Sequence, residues 1–234
     1  MGWLAELPPI VKIGVPLLLL VLGGGAAYFL RLRPFAMEDL LGTEFSIFLV
    51  PSWSMRRVPR ADSLIVFSDE TGWLGHGSAK YVKDRAQYIV ENAIRSLAPI
   101  APGWAVSTEL KWMPAKRLIV ANPYDERKIT GREEFQRGVY GAMREHRKHH
   151  GSSVIVVDPV DDWNYFEPRI LPEEGARIVM DSFSKYIGKQ KAIRVVVSNR
   201  KHAEAYAAIL NEYSENRWKF ARKRRKGQPQ APAA

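Results

Sequence analysis

The chain has 234 residues, a formal net charge of +10 and no cysteine. This length suits one sizeable domain with appendages, and the missing cysteine excludes disulfides, thiolate metal sites and a cysteine nucleophile. Seven of the positive charges, from Arg217 to Lys226, sit in one C-terminal stretch, and without them the balance falls to +3. The basic character therefore belongs to the tail more than to the domain.

After a short segment 1–12, residues Ile13 to Leu30 run for eighteen positions without a charge: IGVPLLLLVLGGGAAYFL. As a helix this run reaches roughly 27 Å, close to the hydrocarbon thickness of a bilayer. A cleaved signal peptide would need a shorter apolar core and a clear small-residue site, so 13–30 is expected to be an uncleaved transmembrane helix. Lys12 precedes the run, and Arg31, Arg33, Arg56, Arg57 and Arg60 follow it. Positive residues stay on the cytoplasmic side. The expectation is a single-pass protein of the cell membrane, with its N-terminus outside and its soluble domain in the cytoplasm.

Residues 31–43 read as a juxtamembrane linker, and 44–214 as an α/β domain. EFSIFLV (44–50) and SLIVF (63–67) are apolar, branched and aromatic, as strands are. Ser78 to Leu97 carries Val82, Ala86, Ile89, Val90, Ala93 and Leu97 at helical spacing. AVST (105–108) and RLIVA (117–121) read as strands. Arg132 to His149 is an amphipathic helix stopped by Gly151, with His149 and His150 at its solvated end. SVIVV (153–157) has the all-apolar pattern of a strand covered on both faces. Pro172 opens a helix to Ile187, with Glu173 and Glu174 favourable in its first turn. IRVVV (193–197) is the last strand, and Lys201 to Tyr213 the last helix. The tail 215–234 is too polar to build a core and reads as disordered. Alternating strands and helices imply an α/β class, a three-layer α/β/α sandwich with a mixed, mostly parallel sheet.

Ligands of open α/β sheets bind beyond the carboxyl ends of the strands. Two loops there carry chemistry. The first, SDETGWLGHGSA (68–79), has Gly75, His76 and Gly77, whose backbone N–H groups suit an anion, and Trp73, which can stack on a base. The second, DPVDDWNYFEPRIL (158–171), has Asp158, Asp161, Asp162, Trp163 and Asn164; its acids can meet ribose hydroxyls or a metal, or simply face solvent. No triad spacing and no metal-ligand box is present, and neither a metal nor a cofactor is expected.

The order of these segments resembles the macro domain, a module that commonly binds ADP-ribose, over roughly Glu44 to Tyr213. ADSLIVFSDETGWLGHGSAKYVKDRA is similar to the family's strand, Asn-Ala-Ala-Asn motif, glycine-rich loop and helix. APGWAVSTELKWMPAKRLIVANPYDE is similar to its "pro-Gly-x-ala-x-x-Thr" segment, and SSVIVVDPV with LPEEGARIVMDSF to the strand, loop and helix that close the pocket. The departures fall where the family meets its ligand. Phe67-Ser68-Asp69-Glu70 stands in place of Asn-Ala-Ala-Asn, and Asp161 to Phe166 in place of the phosphate-binding Ser-Thr-Gly-x-Tyr-Gly loop. Unit charges a few ångströms apart repel by about 1–4 kcal/mol at a partly exposed site, so Asp161 and Asp162 oppose a diphosphate.

Three functions follow from the resemblance. One is a membrane-anchored module for ADP-ribose, a related nucleotide-like ligand or an ADP-ribosylated protein, using Trp73, Gly75, His76, Gly77, Asp162, Trp163 and Asn164. A second is a degenerate fold that holds a protein partner. The third and least favoured is an ADP-ribosyl hydrolase using Asp69, Glu70 or Asp161. In the tail, Arg222, Lys223, Arg224, Arg225 and Lys226 suit the anionic headgroups of membrane lipid better than nucleic acid, since the chain is already anchored.

Overall fold

The computed structural model describes residues 33–50, 58–75, 80, 82–83, 90–110, 113–123, 132–159 and 171–216. The apolar run 13–30 and the basic tail 217–234 lie outside the described residues. Among the described residues no helix is long and apolar enough to cross a membrane.

Seven strands form one sheet in the order β1-β2-β7-β6-β3-β5-β4. They are β1 (Ala36–Leu40), β2 (Thr43–Leu49), β3 (Ala61–Phe67), β4 (Ala105–Glu109), β5 (Ala115–Ala121), β6 (Ser153–Val157) and β7 (Ala192–Val197). The five inner strands are parallel, while β1 and β4 pair antiparallel at the two edges. Three helices are described in full: α1 (Arg132–Lys148), α2 (Pro172–Ser184) and α3 (Arg200–Glu215). The stretch 90–95 is also helical, at the end of the helix expected over 78–97.

Side chains alternate between the faces of a strand. One face supplies Phe45, Ile47, Ile65, Phe67, Ile119, Val154, Val156, Ile193 and Val195 to a single core. Against them α1 sets Phe135, Val139 and Met143, α2 sets Val179, Met180 and Phe183, and α3 sets Tyr206, Ile209 and Leu210. Each such buried side chain contributes about 1.5–3 kcal/mol. The second face, with Leu64, Val66, Leu118, Val120 and Ile155, is equally closed to water. A mixed, mostly parallel sheet buried on both faces is the architecture the sequence implies.

One expectation changes. Residues 31–43 were expected as a connector with at most a helical turn, but 36–40 is an edge strand whose register runs from Ala36↔Ile47 to Leu40↔Thr43. The turn explains it: Leu41 and Gly42 both have positive φ, 56° and 78°, the two-residue geometry that suits the twist of a hairpin. Asp39 Oδ1 accepts from Gly42 N at 2.9 Å and closes it. AMEDL hides from a strand reading because only its Ala36, Glu38 and Leu40 side turns inward.

At the amino end of the sheet, His146 of α1 is fully buried between Ser63 Oγ (2.9 Å from Nδ1) and Gln190 Oε1 (3.2 Å from Nε2). Burial holds its pKa below the usual 6.5. The unfolded chain therefore binds the proton first, so stability rises with pH in that window. The His146 contribution is complete above pH 6.5 and is lost as pH falls from there through the lowered folded value. Urea unfolding across a pH series should show this slope in the native chain and a flatter one in His146→Asn.

Candidate functional site

The loop after β3 is built from its own side chains. Ser68 Oγ donates to Trp73 O at 2.7 Å, and Asp69 Oδ1 accepts from Thr71 N at 2.9 Å and from Thr71 Oγ1 at 2.6 Å. Gly72 N donates to Asp69 O at 3.1 Å, and Ile100 N to Glu70 O at 2.7 Å. Gly72 has φ +65°, and a Cβ there would lie 2.7 Å from Ile94 Cγ2. Glycine is needed for both the left-handed backbone and the close approach. At Gly75 a Cβ would run into the indole of Trp73, so that ring lies on glycine backbone.

Beside this loop is an open depression of about 710 Å³ lined by Glu70, Thr71, Trp73, Arg95, Ala98 and Pro99. Trp73 is 40% exposed there. Arg95 comes from the end of the helical stretch 90–95 that follows the loop, its Nη2 3.2 Å from Glu91 Oε1. A half-exposed indole flanked by one cation and one carboxylate offers a stacking plane with polar groups at its edge.

Of the sequence-predicted site residues, Trp73 and Glu70 meet at this depression, and Gly75 supports the indole. Asp69 turns its carboxylate into its own loop, where Oδ1 accepts from Thr71. His76, Gly77, Asp161, Asp162, Trp163 and Asn164 lie outside the described residues, as do Arg222, Lys223, Arg224, Arg225 and Lys226. Arg95 was missed: it reads as one more polar position on an amphipathic helix, and its place opposite Trp73 depends on the fold.

Asp158, at the carboxyl end of β6, also departs from the solvated or ligand-facing acid that its loop suggested. It is 5% exposed, and its Oδ2 lies 2.7 Å from His202 Nδ1 while its Oδ1 accepts from Tyr206 O–H at 2.8 Å. Both partners lie on α3, whose N-terminus is capped by Asn199 accepting from Lys201 N at 2.8 Å. The carboxylate locks the last helix to the end of the central sheet.

No family model and no curated protein matches the chain. Solved structures do. An Oceanobacillus iheyensis macrodomain with ADP superposes with a TM-score of 0.63 at 11% identity, over 77% of this chain and 96% of that one. A Trypanosoma brucei macrodomain in complex with ADP gives 0.60 at 9% identity, over 74% and 71%. The macro domain of ganglioside induced differentiation associated protein 2 gives 0.59 at 14% identity, over 76% and 88%. Identities this low speak for the fold alone, and the mixed seven-stranded sheet with its flanking helices is the macrodomain fold.

Proposed function

We propose that this domain is a macro-like binding module for ADP-ribose or a related nucleotide-like ligand, held at the cytoplasmic face of the cell membrane by the run 13–30. The observation that carries the reading is the depression at the carboxyl end of β3, where Trp73, Glu70 and Arg95 meet. Two of the macrodomains of like fold were solved with ADP. The anchor rests on the uncharged length of Ile13 to Leu30, and the orientation on the arginines that follow it.

Calorimetry of the full chain in detergent micelles tests the ligand. One-to-one heat with ADP-ribose is expected. Trp73→Ala should weaken binding roughly tenfold or more, since base–aromatic stacking contributes about 1–3 kcal/mol. Absence of heat up to millimolar ligand sinks the reading.

A second reading, a scaffold for a protein partner without nucleotide binding, is favoured by a specific feature of the loop. Ser68 and Asp69, at the positions of the family's ligand-binding motif, are engaged within their own turn. The same titration separates the two readings.

A further inference from the structure

Strand β4 is the last strand on its side of the sheet. Among the described elements it packs on β5 and beneath α1. Its register fixes which backbone groups it offers outward. Asn122 N donates to Trp104 O at 3.0 Å, and Leu110 N to Lys116 O at 2.8 Å. These positions are hydrogen-bonded pairs of the ladder, and such pairs alternate with non-bonded ones along antiparallel strands. Val106 and Thr108 therefore turn their N–H and C=O groups to β5, while Ala105, Ser107 and Glu109 turn theirs away from the sheet.

Open edges are usually blunted by charge, proline or a bulge. Strand β1, at the other edge, carries adjacent acids at Glu38 and Asp39 and packs against α3. Paired with its own copy, it would set like charges against each other. Strand β4 reads AVSTE, with branched residues and a single charge at its end. Paired antiparallel with a second copy about Ser107, it sets Ala105 opposite Glu109 in both directions, and no charge meets its like. Ala105, Ser107 and Glu109 share the face under α1, where Ser107 Oγ donates to Glu145 Oε1 at 2.9 Å. Arg144, the neighbour of Glu145 on α1, comes down beside the start of β4 with its Cζ 4.0 Å over the Trp104 ring. Trp104 is 55% exposed. Among the described residues no salt bridge engages Glu109 or Arg144. The pairing brings Glu109 of one copy to Ala105 of the other, one residue from that tryptophan and its arginine, and symmetry makes the contact twice.

We infer that β4 is a self-association edge, joining two copies of this chain through antiparallel β4 strands into one continuous sheet. The outward backbone groups of Ala105, Ser107 and Glu109 supply the hydrogen bonds, and the Glu109–Arg144 pair sets the register. A slip of two residues carries Glu109 about 7 Å away along the strand. Directly opposed residues point to the same face of a sheet, so both α1 helices stand on one side and the pair closes on itself about a two-fold axis. The association goes beyond the ligand reading and does not depend on what the Trp73 depression binds.

The test uses the full chain in detergent micelles. With no native cysteine, Lys116→Cys takes a single nitroxide at an exposed site on β5. Three strand spacings across the pair, and three residues beyond the level of Ser107 on each side, put the two labelled Cα atoms about 25 Å apart. Pulsed electron spin resonance should show one population near that distance, growing with protein concentration. Ser107→Pro should abolish it, because the ring removes an outward N–H and leaves the bonds to β5 in place. Glu109→Arg should raise the dissociation constant about tenfold, and adding Arg144→Glu to the same chain should restore it. A population that survives Ser107→Pro and is indifferent to the charge changes comes from association elsewhere in the chain and overturns the inference, as does a chain that stays monomeric at submillimolar concentration. Should Ser107→Pro fail to fold, loss and recovery across the charge pair decide alone.

Discussion

Gly141→Val should destabilise the domain by about 3 kcal/mol, lowering the thermal midpoint by about 6–12 °C for a domain of this size. Gly141 lies where α1 crosses the turn before β4, and a Cβ there would be driven into the carbonyl oxygen of Gly103. That turn cannot retreat. Gly103 has φ +75°. Its N–H donates to Asn122 O at 2.8 Å, and Trp104 is tied on both sides, donating to Ala101 O at 2.9 Å and accepting from Asn122 N at 3.0 Å. Arg144, one turn further along α1, lies with its Cζ 4.0 Å over the Trp104 ring. A helix forced outward here also loosens Phe135, Val139 and Met143 from the core. Urea unfolding of the variant checks the figure, and a change within about 0.5 kcal/mol, the range of neutral surface substitutions, contradicts the close approach.

Asp158→Ala is the second large effect, at about 3–4 kcal/mol. The substitution removes the acceptor shared by His202 and Tyr206, three groups that are each at most 5% exposed. His202 Nδ1 and the Tyr206 hydroxyl both lie on this one carboxyl group, so both lose this partner together. The loss should be non-additive. Asp158→Ala in a Tyr206→Phe background should cost less than in the native chain, because one of the two donors is already gone. Equal costs in both backgrounds, measured by denaturant unfolding, contradict the shared carboxylate.

The inner sheet was legible because it is buried on both faces. SVIVV and IRVVV need no partner to be recognised: a continuous apolar branched run has few other stable uses. Helix α1 was legible from its apolar stripe and α2 from Pro172 and the acids behind it, with ends within a few residues of those observed. What escaped reading was half-solvated or joined across distance. Strand β1 alternates, is short, and owes its existence to β2 and the Gly42 turn. Trp73 and Glu70 stood out because they share one loop with the glycines. Arg95 meets them only after a helix has carried the chain back. Asp158 looked like the first of a run of loop acids, and its true partners are 44 and 48 residues downstream. Local pattern reports burial; it does not report which distant side chain fills the space.

The strand order bears on how the molecule is made. Among the described strands β7 alone joins the β1–β2 hairpin to the remaining four, yet it is the last of them in sequence, beginning at Ala192, long after Leu49. During synthesis the first hairpin and β6 each wait with an open edge for the same late segment. Non-local closure of this kind is slow, and unpaired edges invite aggregation while it is pending. Nascent chains halted before Val197 should therefore be the chaperone-dependent and protease-sensitive ones, with protection arriving in a single step once β7 and α3 have emerged.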